Sequence, residues 1–343
     1  MNGNNIFYKN GSLGILTTTP LMPLDVNGTI HSMTGGYMFP DGTIQKTAVS
    51  KKTPLEIALN KWYEANLAGG TVGLAGGVSG LVFDGSNVWV TRSSDNQISK
   101  VRASDGSVLG TFSAGQNPTY AAFDGLNIWV TNPITSTTGT LTKLRAADGT
   151  TLGSYALGCR PGGIAFDGKN IWVTASLANT ILKINPTTGA IVGTYSVNTY
   201  PVHLAFDGTY LWVTCENANV VQKVNPADGT IAGSYAAGNS PYDIAFDGQY
   251  LWVTNYNDGT VKKISDANGT VMGTYTVGST PYSVCFDGYN IWVVNYNDNT
   301  VTKIRASDGI VGTYSVGSNP TCIIFDGANM WIANHAANTL SKL

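Results

Sequence analysis

The chain has 343 residues, a net charge of −2 and 43% hydrophobic content, so it is long enough to bury a large core. Only 12% of the residues are charged, and no basic stripe supports binding to nucleic acid. No apolar run reaches the roughly 18 residues that span a bilayer, and the start of the chain lacks the basic and apolar regions of a signal peptide. We expect a folded protein without a nucleic-acid partner or a membrane span.

The first 50 residues do not repeat and are predicted to form a β-rich assembly arm. They contain Gly14–Pro20, Leu24–Ile30 and Phe39–Ala48, which resemble segments of phage tail fibres and large bacterial surface proteins. The resemblance implies intertwined β-structure in an oligomeric shaft. Fifty residues are also few for an independent core, so their apolar side chains should be buried against another subunit. We expect a homo-oligomer formed through residues 1–66, located outside the cell, on a cell surface or in a virion.

Residues 51–69 are predicted to form a connecting helix. Thr53–Glu56 is a capping box with proline at the first helical position, and Gly69–Gly70 ends the helix. Leu55, Leu59 and Trp62 share one face. This face fits either a coil between subunits or a strut packed on the next domain.

From residue 70 to residue 343 one pattern recurs seven times. Phe-Asp-Gly begins at Phe83, Phe123, Phe166, Phe206, Phe246, Phe286 and Phe325, and a tryptophan follows each Phe after six residues. Asp-Gly supplies the positive φ of a tight hairpin turn, and each copy reads as four antiparallel strands, which is one propeller blade. The last copy ends before its fourth strand, so Gly70–Leu74 is expected to complete it. The sequence predicts an all-β, seven-bladed β-propeller of four-stranded antiparallel blades closed by an N-terminal strand.

The repeated unit Pro-x-x-Ile/Leu-Ala-Phe-Asp-Gly-x-x-Ile/Leu-Trp-Val-Thr resembles the propellers of the NHL, YVTN and streptogramin-lyase group. The resemblance covers about 270 residues. It implies the fold, whereas the architecture hosts binding modules, scaffolds and a few enzymes. Streptogramin lyases carry a glutamate directly after the Trp-x-Thr of the second strand. This chain has Cys215 there and Glu216 one position later, which weighs against lyase activity.

Two sets of repeated or scattered residues are predicted to be structural. A lysine near the end of the third strand recurs in every copy at Lys100, Lys143, Lys183, Lys223, Lys263, Lys303 and Lys342. Because this strand ends on the same rim as the Phe-Asp-Gly turn, we expect a ring of seven lysine–aspartate pairs that sets register. The four cysteines show no Cys-x-x-Cys spacing and are expected to be buried thiols. No metal site and no cofactor are predicted.

Positions that differ between the copies are where a site is expected. Blades four and five would bring His203, Glu216 and Asp243 to one side of the channel mouth, as weak candidates for acid–base catalysis or cation binding. The predicted ligand-binding rim is formed by Tyr200, Tyr242, Tyr256, Tyr282, Tyr296 and His335. Tyrosine with neighbouring asparagine is typical of protein and glycan recognition surfaces.

The favoured function is non-enzymatic. The arm would attach the chain to an extracellular fibre, filament or virion tail, and the propeller would be displayed as a rigid head that binds a surface protein or a glycan. The alternative is a propeller lyase or hydrolase with a polar site at the channel mouth.

Overall fold

A computed structural model describes residues 70–305 and 309–343 with their side chains, together with the backbone of four short strands in the arm. The arm strands Phe7–Lys9 and Ser12–Gly14 pair antiparallel, as do Tyr37–Met38 and Ile44–Gln45. The chain divides into two compact units, Met1–Lys51 and Lys52–Leu343. The expected helix over 51–69 lies outside the described residues, so the three-part domain division stays a prediction. No helix in the described part is long and apolar enough to cross a membrane.

Seven antiparallel sheets of four strands form the propeller, and the predicted fold is confirmed. Strands A to D are Val78–Phe83, Asn87–Arg92, Gln97–Arg102 and Val108–Ser113 in blade 1; Tyr120–Phe123, Asn127–Pro133, Gly139–Arg145 and Thr151–Ala156 in blade 2; Pro161–Phe166, Ile171–Ala175, Thr180–Ile184 and Ile191–Ser196 in blade 3; Pro201–Phe206, Leu211–Cys215, Val220–Val224 and Ile231–Ala236 in blade 4. They are Pro241–Phe246, Tyr250–Asn255, Thr260–Ser265 and Val271–Thr276 in blade 5; Pro281–Phe286, Asn290–Asn295, Thr300–Arg305 and Gly309–Ser315 in blade 6. Blade 7 consists of Pro320–Phe325, Met330–Asn334, Thr339–Lys342 and Gly70–Gly73. Short 3-10 turns follow strand B at Ser93–Asp95, Ser176–Ala178 and Glu216–Ala218.

The expected closing strand is confirmed at Gly70–Gly73, which forms strand D of blade 7. Val72 pairs with Leu340 and Gly70 pairs with Lys342. The following Leu74 donates its backbone N–H to the carbonyl of Asn338 at 2.8 Å. Because this strand precedes blade 1 in the chain and completes blade 7, it joins the two ends of the ring and covers an otherwise open sheet edge.

The tryptophans pack between blades. Six of the seven are fully buried and Trp292 is 7% exposed. Trp89 of blade 1, for example, lies in one cluster with Ile128, Val130 and Leu144 of blade 2. Each interface between blades is therefore a separate apolar core with a tryptophan at its centre.

Each aspartate of Phe-Asp-Gly accepts a hydrogen bond from the tryptophan five residues later. The Nε1 to Oδ2 distances are 2.7–2.8 Å in all seven pairs: Asp84–Trp89, Asp124–Trp129, Asp167–Trp172, Asp207–Trp212, Asp247–Trp252, Asp287–Trp292 and Asp326–Trp331. The other oxygen accepts two backbone N–H groups of the turn, as at Asp207, where Thr209 and Tyr210 donate at 2.7 Å. The motif thus holds a tight turn and satisfies a buried indole donor at once.

The expected ring of lysine–aspartate pairs is wrong, because both partners are engaged elsewhere. The seven ammonium groups lie over the tryptophan rings of their own blades, 4.7–5.4 Å from the ring centroids. Lys143 and Lys183 also donate to the carbonyls of Pro186 and Pro226 in the next blade, both at 2.6 Å. The lysine is the direct cross-strand neighbour of the tryptophan, and this register brings it onto the ring rather than to the carboxylate.

The threonine of Trp-Val-Thr, on strand B, ties its blade to strand A of the next blade. Thr174 donates its hydroxyl to the carbonyl of Val202 at 2.8 Å, and Thr214 donates to the carbonyl of Tyr242 at 2.7 Å. Strand A is the innermost strand of each blade, so these bonds fix the positions of the side chains that line the central channel.

Candidate functional site

One position of strand A lines the channel in successive blades. It lies three residues before each Phe and is occupied by Gly80, Tyr120, Gly163, His203, Asp243, Ser283 and Cys322. All of these except Gly163 line a cavity of about 160 Å³. At this position His203 and Asp243 line the same cavity as a tyrosine, a serine and a cysteine.

His203 and Asp243 are adjacent across the interface of blades 4 and 5. His203 Nδ1 lies 3.3 Å from Asp243 Oδ1, and the two side chains are 16% and 14% exposed. Burial lowers the pKa of His203, although Asp243 partly opposes this shift. The imidazole is therefore neutral near pH 7, and its proton belongs on Nδ1 facing the carboxylate. The other nitrogen, Nε2, is buried without a hydrogen-bond partner.

The carboxylate of Asp243 is fully occupied by donors. Oδ1 accepts the backbone N–H of Ile244 at 2.8 Å and faces His203. Oδ2 accepts the hydroxyl of Ser283 at 2.8 Å and the N–H of Val284 at 3.0 Å. Since a carboxylate has about four acceptor positions, none remains for a substrate or a metal ion. Through these hydrogen bonds Asp243 links blade 5 to blade 6.

Glu216 does not join this pair through any hydrogen bond or ion pair that the structure gives it. It begins the 3-10 turn Glu216–Ala218, in the loop between strands B and C, whereas His203 and Asp243 project from the innermost strands. Burial raises the pKa of its carboxyl group. Among the described residues, no three His, Cys, Asp or Glu side chains are grouped so that they could hold a metal ion. The three candidate catalytic residues are thus brought together only in part.

Three tyrosines meet across the channel beside His203. The hydroxyl of Tyr242 donates to that of Tyr282 at 2.5 Å and lies 3.2 Å from that of Tyr120. The ring of Tyr120 makes an edge-to-face contact with the imidazole of His203, and the two ring centroids lie 4.5 Å apart. Burial raises the pKa of all three phenols, and those of Tyr120 and Tyr242 lie well above the usual range. The three hydroxyls therefore keep their protons near neutral pH.

The predicted rim is a continuous aromatic surface over part of its length. Tyr242, Tyr256, Tyr282 and Tyr296 form successive ring contacts, with centroids 4.3–6.2 Å apart. Tyr256 and Tyr296 directly follow strand B of blades 5 and 6, so the loops of two blades extend the surface outward from the channel. We call these four residues the tyrosine surface. Each of the four residues is half-buried.

Tyr200 and His335 have different local roles. Tyr200 has a positive φ of 60° and accepts the N–H of Glu216 on its carbonyl at 2.9 Å. His335 has Nδ1 at 2.9 Å from the carbonyl of Val78. No ring contact to the tyrosine surface is found for either residue in the described chain. Tyr120 was not among the predicted rim residues; its signal is that it occupies the same strand A position as His203 and Asp243.

The four thiols are poorly suited to nucleophilic chemistry. Burial raises the pKa of Cys159 to about 11 and the pKa of Cys215, Cys285 and Cys322 to about 12. Because the thiolate is the reactive form, these groups are almost entirely protonated at pH 7. The expectation of buried free thiols is confirmed for Cys215, while the other three are half-buried.

No protein-family model matches the sequence, and no curated protein matches it. Solved structures do resemble the propeller. Kuenenia stuttgartiensis hydrazine synthase aligns with a TM-score of 0.70 and 19% identity over 78% of this chain and 95% of that one. A streptogramin B lyase aligns with a TM-score of 0.68 and 21% identity over 80% and 96%.

A catalytically inactive virginiamycin B lyase from Staphylococcus aureus, solved with quinupristin, aligns with a TM-score of 0.69 and 21% identity over 80% of this chain and 98% of that one. At such low identities these likenesses establish a shared propeller fold and no shared activity.

Proposed function

We propose that this chain is a recognition protein whose propeller binds a glycan or a surface protein through the tyrosine surface. The single observation that carries the proposal is the contact of Tyr242, Tyr256, Tyr282 and Tyr296 in one half-exposed aromatic surface at the channel mouth. Tyrosine rings give rigid contact area at low entropic cost, and their faces stack on sugar rings and apolar side chains.

The chemistry beside this surface supports binding over turnover. The carboxylate of Asp243 is saturated, the neighbouring phenols and thiols hold their protons near neutral pH, and Glu216 lies in a separate loop. An acid–base pair needs a pKa near the working pH and access to the substrate. The ring contacts instead join Tyr242 and Tyr282 to Tyr256 and Tyr296 in one connected aromatic surface.

A glycan array tests the recognition surface directly. The double variant Tyr256→Ala/Tyr296→Ala should weaken binding at least about tenfold, because aromatic anchors of this kind contribute about 1 to 2 kcal/mol each. Tyr289→Ala is the matched control, since this tyrosine is 70% exposed in the Phe-Asp-Gly turn of blade 6, away from the channel mouth. Equal binding by the double variant and the control would contradict the proposal, as would a wild-type chain that binds no glycan and no cell-surface protein.

Display on an extracellular fibre, filament or virion tail is the second part of the proposal. It rests on the sequence of residues 1–50, which resembles fibre segments, and on the few residues available there for an independent core. Homo-oligomers formed through residues 1–66 would present several heads at once, which raises avidity. A chain that lacks residues 1–50 should be monomeric in light scattering, and a full chain that is equally monomeric would contradict this part.

The second candidate function is a lyase or hydrolase that acts at His203, Glu216 and Asp243. The observation in its favour is the 3.3 Å contact of His203 and Asp243 within the channel, on a fold shared with streptogramin B lyase. Quinupristin, which is bound to one of the similar structures, is a suitable probe. Turnover by the wild-type chain that His203→Ala abolishes would establish this candidate, and an intact probe after prolonged incubation would eliminate it for this substrate.

A further inference from the structure

The outer edge of the propeller carries an apolar surface at equivalent positions of six blades. The first two residues of the regular part of strand D are exposed there, and most are large and hydrophobic. We call the following ten residues the outer belt, each 40–55% exposed: Val108, Leu109, Leu152, Ile191, Val192, Ile231, Val271, Met272, Ile310 and Val311. Single exposed apolar residues are common, whereas contiguous apolar patches mark interaction sites. In four of the six blades two belt residues are adjacent in the strand.

The belt lacks the charges that normally protect an outer strand. The six D strands read Val-Leu-Gly-Thr-Phe-Ser, Thr-Leu-Gly-Ser-Tyr-Ala, Ile-Val-Gly-Thr-Tyr-Ser, Ile-Ala-Gly-Ser-Tyr-Ala, Val-Met-Gly-Thr-Tyr-Thr and Gly-Ile-Val-Gly-Thr-Tyr-Ser, without one charged side chain. Edge strands usually carry lysine or another charge that opposes association. The second residue of each pair, such as Val192 in blade 3, is the extra residue of a β-bulge. The bulge turns these side chains outward and favours contact through side chains rather than a continued strand ladder.

The closing strand of blade 7 begins at the level of the belt. In blade 3 the strand C lysine, Lys183, lies opposite Gly193, the residue directly after Val192. In blade 7 the equivalent lysine, Lys342, lies opposite Gly70. Gly70 is therefore the counterpart of Gly193, and the chain enters the outer strand of blade 7 where the other six blades carry their belt residues.

The arm is matched to such a surface in composition and in its need for a partner. Residues 1–50 contain only four charged side chains, Lys9, Asp25, Asp41 and Lys46. The hairpin Phe7–Lys9 with Ser12–Gly14 has two strands, and an isolated two-stranded hairpin is marginal in water unless it packs against a further element. An uncharged apolar belt provides that element without burial of an unpaired charge.

We propose that the outer belt is the surface on which the arm of a second copy of this chain packs. This inference rests on the proposed assembly through the arm, and it adds the surface that receives it. Each copy offers one arm and up to six equivalent belt positions, so the contact is heterologous and propagates from copy to copy. The product is a filament or a cluster of heads whose channel mouths stay free, because the belt lies at the outer edge and the tyrosine surface at the axis.

The test compares the solution mass of full-length variants by light scattering over a range of concentrations. The belt variant carries Leu109→Lys, Val192→Lys, Met272→Lys and Val311→Lys, four bulge positions that are 44–55% exposed and therefore tolerate lysine in the folded blade. The dissociation constant of the assembly should rise at least about 100-fold, because each contact loses apolar burial and gains a charge to desolvate.

The matched control places four lysines at the other end of the same strands: Ser113→Lys, Ser196→Lys, Thr276→Lys and Ser315→Lys, all at exposed positions. It should assemble like the wild-type chain. Circular dichroism melting of both variants must match the wild type, so that loss of assembly cannot come from loss of the fold.

The possible results distinguish between the belt, the arm and assembly itself. A belt variant that assembles like the control overturns the inference and leaves arm-driven assembly standing. Assembly of a chain without residues 1–50, in which Gly70–Gly73 still closes the ring, overturns the arm as the occupant. A wild-type chain that is monomeric at every concentration overturns the proposed display together with this inference.

Discussion

The bond between Asp326 and Trp331 offers a direct test of how the repeated motif stabilises a blade. Trp331 is fully buried and Asp326 is 8% exposed, and the indole Nε1 donates to Oδ2 at 2.7 Å. The other oxygen accepts the N–H groups of Ala328 at 2.8 Å and Asn329 at 2.6 Å. Asp326→Ala leaves a buried indole donor unpaired, which costs about 1 to 3 kcal/mol, and removes two turn bonds of about 1 kcal/mol each. We expect a loss of about 3 to 5 kcal/mol in the free energy of unfolding.

A double-mutant cycle isolates the hydrogen bond from the loss of ring volume. Asp326→Ala, Trp331→Phe and the double variant should show a coupling energy of about 2 kcal/mol, since hydrogen bonds to charged groups contribute about 1.5 to 3 kcal/mol. Urea denaturation followed by circular dichroism measures each term. The equivalent cycle on Asp124 and Trp129, at the same distance of 2.7 Å but with a more exposed aspartate, should give a smaller coupling. Coupling below about 0.5 kcal/mol in blade 7 would refute this account of the motif.

Burial lowers the pKa of His203 below its usual value of 6.5. As the pH falls, the unfolded chain therefore takes up a proton on this imidazole before the folded chain does. The stability that comes from this difference is complete above about pH 6.5 and is lost as the pH falls through the folded-state pKa. Melting temperatures of His203→Gln should therefore depend less on pH between pH 7 and pH 5 than those of the wild type, and parallel curves would contradict the assignment. Burial raises the pKa of the four thiols to about 11 or 12, so a disulfide reagent at pH 8 should react with them slowly in the native chain and rapidly in guanidinium; fast native reaction would show that they are accessible. A chain that starts at residue 75 should be less stable than one that starts at residue 51 by about 3 kcal/mol or more, because Val72 and Leu74 no longer pack in blade 7, and equal urea midpoints would argue against the closing strand.

The repeat made most of the fold predictable. Because Phe-Asp-Gly and its tryptophan recur at nearly constant spacing, the blade count, the turns and the strands of each copy follow from local rules. The closing strand was predictable for a different reason: a blade that lacks its outer strand leaves an open edge, and Gly70–Leu74 was the nearest segment that could cover it.

The repeated charges have partners other than the expected ones, although the sequence carries a signal for them. The constant interval of five residues places each aspartate in the turn of a hairpin and its tryptophan on the strand that follows, within reach of each other. The shared rim and the opposite charges favour a pair of lysine and carboxylate. In a sheet the direct cross-strand neighbour is the nearer partner, and for Lys183 that neighbour is Trp172.

The channel was predictable only in part, because the contacts that define it cross the axis. Tyr120 and Tyr242 are 122 residues apart and meet through their hydroxyls. No spacing within one repeat reveals which blades face each other at this distance. The grouping of His203 with Asp243 came from adjacent blades, whereas Glu216 lies in a loop of blade 4 and makes no bond to either in the described structure.

Electron microscopy of the full-length chain beside a chain that lacks residues 1–50 shows whether the arm assembles the propellers. We expect seven-lobed heads held in regular oligomers or filaments for the full chain, and single dispersed heads of the same shape for the shortened chain. Single dispersed heads in both preparations, across all concentrations at which light scattering detects the protein, would contradict an arm that assembles the propellers for display.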